Sequence, residues 1–114
     1  IISQKKFKIG LNDTSYQNYI RLMKYSLLIF KKNFSIIINN KTKETKQKIK
    51  LGSYYPRKSV NYKKRILIKN FKHNIKTHNE IRALIFPPFQ LPIYNGKKII
   101  KSFYKGKKIQ LRYL

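Results

Sequence analysis

The chain has 114 residues, of which 28 are Lys or Arg and only three are acidic, so its formal net charge at pH 7 is +25. Because like charges at this density repel one another, the composition predicts a polyanionic partner or, as an alternative, an anionic membrane surface. The lack of cysteine excludes disulfides and thiolate metal sites, and a hydrophobic fraction of 41% is too high for a disordered polyelectrolyte.

The first helical pattern lies near the N-terminus. Residues 12–15 (Asn-Asp-Thr-Ser) offer several helix N-caps, and apolar side chains then recur at helical spacing as far as Phe30. They predict an amphipathic helix near residues 14–33 that is closed by the basic residues before Asn33. Three interpretations of its apolar face stay open: packing on the protein's own core, docking on a neighbouring protein or on RNA, and binding to a membrane.

The pattern is weaker after this helix. The β-branched segment Phe34–Ile38 predicts a short strand, and the basic run Lys41–Lys50 fits either a second strand or a loop ordered by RNA. Gly52 then interrupts the chain. We therefore divide the sequence into an N-terminal extension, residues 1–55, and a core, residues 56–114.

A basic loop rich in tyrosine follows from Ser53 to Lys64. Its aromatic rings alternate with cations, a composition that suits single-stranded RNA because bases stack on the rings while phosphates pair with the cations. The alternative is a solvated loop whose tyrosines pack locally. The next apolar segment, Ile66–Phe71, is of uncertain type, and Ala83–Phe86 is predicted to be a strand that ends at two prolines.

The strongest local signal is a β-hairpin. Leu91–Tyr94 and Lys97–Phe103 are separated by Asn95-Gly96, a pair that favours the positive φ angles of a type I′ turn. Lys97 and Lys98 follow the turn directly, so the tip of the hairpin can reach a groove lined with phosphates.

Motifs of catalysis or metal binding are not evident. The three carboxylates are far apart in sequence, the glycines are isolated, and the spacing of His73 and His78 suits neither one helix face nor one strand face. We expect both histidines to lie at the surface or on RNA. The sequence thus predicts a protein that is not an enzyme and that needs no cofactor and no metal.

Four segments resemble, in order, the S-nineteen family of small-subunit ribosomal proteins. Residues 75–89, IKTHNEIRALIFPPF, resemble the family's IKTWSRRSTILPEF, and IYNGKK at 93–98 resembles its VYNGKK. PRKSVNYK at 56–63 is similar to the PRRSIWKG opening of organellar members, and Gly106-Lys107-Lys108-Ile109 is similar to GHKL. The resemblance covers about half of the chain.

The resemblance implies an α+β fold, with a small antiparallel sheet, a C-terminal β-hairpin, one or two helices and the N-terminal extension. It also implies a structural role in the head of the small ribosomal subunit, with the 3′ major domain of rRNA and an S-thirteen-type protein as neighbours, no membrane and no small-molecule substrate. The excess of Lys over Arg and the abundance of Ile and Asn suggest an AT-rich genome and hence a mitochondrial ribosome, with a plastid as a second choice. A nucleic-acid-binding protein outside the ribosome is the alternative.

The expected rRNA contacts are the cations and turn residues of the matching segments and of the basic loop. They are Arg57, Lys58, Lys63, Lys64, Arg65, Lys76, Arg82, Asn95, Lys97, Lys98, Lys107 and Lys108. In this hypothesis, phosphate neutralisation holds the protein on rRNA while the hairpin and the basic loop set its register.

Overall fold

The structure is a computed structural model that describes residues 1–59 and 61–114, with only the backbone described for Leu51, Arg57 and Tyr62. Its elements, in chain order, are helix α1 (Ser15–Ile38), two short 3-10 turns (Ile49–Leu51 and Arg57–Ser59), helix α2 (Tyr62–Arg65), helix α3 (Ile75–Leu84), and strands β1 (Ile93–Tyr94), β2 (Lys97–Lys105) and β3 (Lys108–Tyr113). The strands form one antiparallel sheet in the order β1-β2-β3. The predicted α+β class, with a small antiparallel sheet, is confirmed.

Helix α1 begins where the sequence predicts and ends later. Thr14 is the N-cap: its hydroxyl accepts a hydrogen bond from the Gln17 backbone N–H, and the Gln17 side chain accepts one from the Thr14 N–H. The predicted strand Phe34–Ile38 is wrong, because these residues form the last turns of the helix. Their β-branched side chains cost less than about 1 kcal/mol per residue in a helix, too little to end it.

The end of α1 is determined by a pair of asparagines. Asn40 has a positive φ of 52°. Its N–H donates to the carbonyl of Ile37, and the N–H of Lys41 donates to the carbonyl of Ile36. These two bonds form a Schellman motif, in which a left-handed residue satisfies the last helical carbonyls.

Helix α3 occupies a segment for which a strand was expected. The predicted strand Ala83–Phe86 is wrong, because Ala83 and Leu84 form the last turn of a helix that starts after Asn74, whose side chain accepts the Thr77 N–H. Its buried residues recur at helical spacing: Thr77, His78, Ile81 and Leu84. The helical period is hidden in the sequence because two of these four buried residues are polar.

The C-terminal sheet contains two tight hairpins. The predicted Asn95-Gly96 turn is confirmed: the two residues have φ angles of 49° and 74°, and Tyr94 pairs with Lys97 across the turn. The second turn, formed by Gly106 and Lys107 with φ angles of 57° and 59°, joins β2 to β3 and was not predicted. Positive φ at both central residues matches the right-handed twist of paired strands.

The core lies between α3 and β2. Ile81, Ile85 and Ile99 are fully or almost fully buried and form its centre. Partly buried hydrophobic side chains surround them: Ile68, Phe71, Leu91, Tyr94 and Leu111. A β-bulge in β2 adds one residue between the pairs Ile99–Tyr113 and Lys101–Arg112. It lets Ile99 and Ser102, three residues apart, both be buried.

Most of helix α1 extends away from this core. Only its first turns contact α3 and the segment after it, where the rings of Tyr16 and Tyr19 pack edge-on against Phe86 at centroid distances of 5.5 and 5.3 Å. No residue of the helix is buried. Packing on the protein's own core therefore accounts for only one end of its apolar surface.

Within residues 1–59 and 61–114, no helix combines the length and the apolar character that a membrane crossing requires.

Candidate functional site

The residues predicted to bind rRNA are spread over several elements. Lys58 is exposed in the second 3-10 turn, Lys63 is exposed on α2, and the side chain of Arg57 is outside the described residues. The two hairpin turns hold the exposed residues Asn95, Lys97, Lys98, Lys107 and Lys108. These turns lie at opposite ends of β2, roughly 26 Å apart at about 3.3 Å per residue. They cannot contact one small ligand together.

Arg82 has a structural role. Its guanidinium donates to the backbone carbonyls of Asp13 at 2.8 Å and Gly10 at 3.3 Å, and to the Asn79 side chain at 2.8 Å. These bonds attach the segment before α1 to α3. The charge and donors of this side chain are thus largely used within the protein, although the sequence suggested an external contact.

His78 is the centre of a buried polar network, so the expectation of a surface or RNA-contacting histidine is wrong for this residue. It is 0% exposed. Its Nε2 lies 2.9 Å from the carbonyl oxygen of Leu11, and its Nδ1 lies 2.8 Å from Oγ of Ser102. Because a carbonyl can only accept, Nε2 carries a proton and donates to it, and Nδ1 shares a hydrogen bond with the serine hydroxyl. Both ring nitrogens are therefore occupied by structural bonds.

His73 also has a structural contact, since its Nδ1 accepts the backbone N–H of Ile109 at 3.0 Å. In the described parts of the chain, no three His, Asp or Glu side chains come together in a way that could hold a metal ion.

Asp13 is held as a carboxylate by its surroundings. A hydrogen bond from Arg21 at 2.8 Å is the main cause that lowers the pKa of its carboxyl group below its usual range. The backbone N–H of Gly10, at 2.7 Å, lowers this pKa further and exceeds the opposing effect of burial, and the nearby charge of Arg82 adds a smaller lowering. This group fixes the turn before α1 and is already paired.

A pocket between α2, residues 67–70 and α3 brings three of the predicted residues together with others. Its volume is about 760 Å³, which is within the range of small-molecule sites. The polar side chains around it are Lys64, Arg65, Lys69, Asn70, Lys76, Asn79 and Glu80, and the apolar ones are Leu67, Ile68, Ile75, Ala83 and Leu84. We call this the α2–α3 pocket.

The α2–α3 pocket is suited to an anion that carries an apolar or planar group. Four cations, Lys64, Arg65, Lys69 and Lys76, face one carboxylate, Glu80. An Arg fork can bind two phosphate oxygens at once, and Lys adds a mobile point charge. The apolar side chains of the lining offer a surface that an apolar or planar group can contact.

A second cavity, of about 640 Å³, lies between the N-terminal arm and α1. Its lining is mainly apolar, with Ile1, Ile29 and Ile37 among the contributors, and its charged side chain is Glu44. An anionic ligand would find no side-chain cation there, so the α2–α3 pocket is the better candidate.

Sequence reasoning missed four polar members of the α2–α3 pocket: Lys69, Asn70, Asn79 and Glu80. Two of these lie on α3 at positions three and four residues after Lys76. Helical spacing would have grouped them with Lys76 if α3 had been recognised.

Comparison with solved structures finds sugar N-formyltransferases. WlaRD, a sugar 3N-formyl transferase in the presence of dTDP and 5-N-formyl-THF, is 38% identical with a TM-score of 0.87, over 99% of this chain and 48% of that chain. The N-formyltransferase from Helicobacter canadensis, in complex with folinic acid and dTDP-3-aminofucose, is 42% identical with a TM-score of 0.79, over 90% of this chain and 37% of that chain. This chain thus spans less than half the length of either structure.

No protein-family model and no curated protein matches the chain.

The structural matches overturn the ribosomal interpretation. The expected S-nineteen family membership, the structural role on rRNA and the alternative of a nucleic-acid-binding protein are contradicted, because the similar chains are sugar N-formyltransferases. One of the short segments that suggested the family, IYNGKK, is poor evidence for it, since Asn-Gly is a preferred sequence for type I′ hairpin turns in general.

The same matches correct four further expectations. They contradict the prediction that the chain is not an enzyme, because both neighbours are transferases. They also contradict rRNA and an S-thirteen-type protein as partners, the absence of a small-molecule substrate, and a mitochondrial ribosome as the location. A high positive charge predicts an anionic partner but cannot distinguish a phosphate polymer from a small diphosphate.

Proposed function

We propose that this chain is part of a sugar N-formyltransferase and that its α2–α3 pocket binds a nucleotide-linked amino sugar. The observation that carries the proposal is the match to WlaRD over 99% of the chain at 38% identity. The pocket's chemistry supports it independently, because a diphosphate with an attached base and sugar needs cations beside an apolar surface.

In this proposal the four cations of the pocket neutralise the diphosphate. Arg65 binds two phosphate oxygens through its fork, while Lys64, Lys69 and Lys76 contribute charge. The amides of Asn70 and Asn79 can donate to and accept from sugar hydroxyls. The apolar side chains of the pocket contact the base.

Glu80 has a separate role in the proposal. It is the carboxylate of the pocket lining and follows Lys76 by one helical turn. A protonated sugar amine beside it would donate a charge-assisted hydrogen bond to the carboxylate. Glu80 would therefore select an amino sugar over the corresponding hydroxyl sugar.

Calorimetric titration of the chain tests the proposal. The ligands are a dTDP-3-amino sugar, dTDP-glucose, dTDP and inorganic diphosphate at moderate salt, where exposed charges are screened. We expect dTDP to bind more tightly than inorganic diphosphate, and the amino sugar more tightly than dTDP-glucose. Lys76→Gln should weaken dTDP binding by about tenfold, the equivalent of about 1.4 kcal/mol, whereas Lys105→Gln on the sheet should have little effect.

Glu80→Gln should abolish the preference for the amino sugar and leave dTDP binding intact. The proposal would be contradicted if dTDP bound no more tightly than inorganic diphosphate, or no more tightly than an RNA at an equal concentration of charge. Net charge alone would then explain the binding. An equal loss of affinity in the Lys76→Gln and Lys105→Gln variants would exclude the α2–α3 pocket as the site.

A further inference from the structure

Helix α1 presents a continuous apolar stripe that is largely exposed; its first residue, Tyr16, packs edge-on against Phe86. The stripe consists of Tyr16, Ile20, Met23, Leu27, Phe30 and Phe34. These side chains are 38–54% exposed, and they repeat at alternating intervals of four and three residues. We call this set the α1 seam. Over 19 residues at about 1.5 Å each it is close to 30 Å long.

The other side of α1 is occupied by the N-terminal arm. The ring of Phe7 stacks on Tyr25 at 5.5 Å, and Arg21 donates to the carbonyl of Lys8. At the arm's start, the N-terminal ammonium group of Ile1 donates to the carbonyl of Thr45, which fixes the arm along the helix. The arm therefore covers the face opposite part of the seam and reaches the seam at Phe30, which lines the cavity between arm and helix.

The spacing of the seam favours a helix as its occupant. An apolar repeat of three and four residues is the pattern by which one helix packs its knobs into the holes of another. A contiguous exposed apolar strip of this length is unusual on a soluble surface and indicates an interaction site.

The charges beside the seam determine the kind of helix. Lys24 and Lys31 are seven residues apart and follow the same edge of the seam, and residues 15–38 contain no acidic side chain. A second copy would bring further cations to this edge on a chain whose net charge is already +25. An occupant with carboxylates at seven-residue spacing would instead form interhelical ion pairs.

We propose that the α1 seam is a docking surface for an acidic amphipathic helix. The bound helix lays its apolar face on the seam and places carboxylates against Lys24 and Lys31. No residue of the seam is among those that line the α2–α3 pocket, so the inference does not rest on the proposed function.

Fluorescence anisotropy with synthetic helices tests the inference on the full chain. The probe is a labelled 21-residue peptide with Leu at the seam-facing positions of each heptad and Glu at the flanking positions, compared with a peptide in which every Glu is Lys. The acidic peptide should bind and the basic one should not. Leu27→Ser should raise the Kd at least about tenfold, as expected for one buried Leu.

Leu28 supplies the matched control. It is the same residue type as its neighbour Leu27 and equally exposed, 51% against 53%, but it lies off the seam. Leu28→Ser should change the Kd less than twofold. Likewise, the double variant Lys24→Glu and Lys31→Glu should prefer the basic peptide, whereas Lys32→Glu, off the seam edge, should keep the preference for the acidic one.

Four results would overturn the inference. These are equal binding of the acidic and basic peptides, equal effects of the two Leu variants, self-association of the chain through the seam in sedimentation, and binding of phosphatidylserine-containing vesicles without any binding of the acidic peptide. The last two would assign the seam to a second copy or to a lipid surface.

Discussion

The buried pair His78–Ser102 offers the most direct test of how the core is held together. In the variant Ser102→Ala, Nδ1 of His78 loses its hydrogen-bond partner in a site where neither residue has any exposed surface. A buried polar atom left without a partner costs about 1–3 kcal/mol. For a domain of this size, we expect the melting temperature to fall by roughly 4–12 °C.

Thermal unfolding followed by circular dichroism measures this change, and nitrogen NMR of the histidine ring reports the cause. Nε2 of His78 should carry a proton, because that atom donates to the Leu11 carbonyl. The exposed Ser53→Ala is the control and should leave the melting temperature unchanged. An unchanged melting temperature in Ser102→Ala, or an Nε2 that carries no proton, would refute the network.

Three further predictions concern the fold. Ile81→Ala should destabilise the protein by about 2–5 kcal/mol in chemical denaturation, far more than the half-exposed Ile20→Ala. Asp13→Asn should abolish a pH-dependent part of the stability: the pKa of Asp13 is depressed in the fold, so its contribution is complete above its unfolded pKa and is lost as the pH falls below about 4. Acid unfolding of the wild type and this variant should therefore converge at low pH, and parallel curves would contradict the assignment. Lys107 has a positive φ of 59°, which glycine adopts more easily than lysine, so Lys107→Gly should keep or raise the melting temperature. Gly96 has a φ of 74°, so Gly96→Ala should lower the melting temperature by the equivalent of about 1 kcal/mol.

Short sequence motifs were reliable where the structure they predict depends only on residues a few positions apart. The Asn95-Gly96 turn and the start of α1 at residues 12–15 depend on backbone conformation and on side chains a few residues away, and the structure has both. Predictions that relied on intrinsic propensity were wrong at Phe34–Ile38 and Ala83–Phe86. In the second case, the buried face of α3 includes a histidine and a threonine whose partners are distant in sequence.

The candidate site was only partly visible in the sequence. Lys64, Arg65 and Lys76 were singled out as cations, but the same reasoning selected Arg82, which binds backbone carbonyls of the N-terminal segment. A count of charges cannot tell these cases apart, because the difference lies in which carbonyls and side chains surround each guanidinium or ammonium group. The ligand proposed for this pocket could not be inferred from charge either, since rRNA and a small diphosphate satisfy the same charge.

The sequence by itself determined that a hairpin follows residue 90 and that a helix follows Thr14. These properties follow from interactions over a few residues. Only the tertiary structure decided which cations surround a pocket, which are used within the fold, and that His78 is buried between Leu11 and Ser102. The contacts of His78 join residues 24 and 67 positions apart, and those of Arg82 join residues 69 and 72 positions apart, separations that local pattern and charge do not encode.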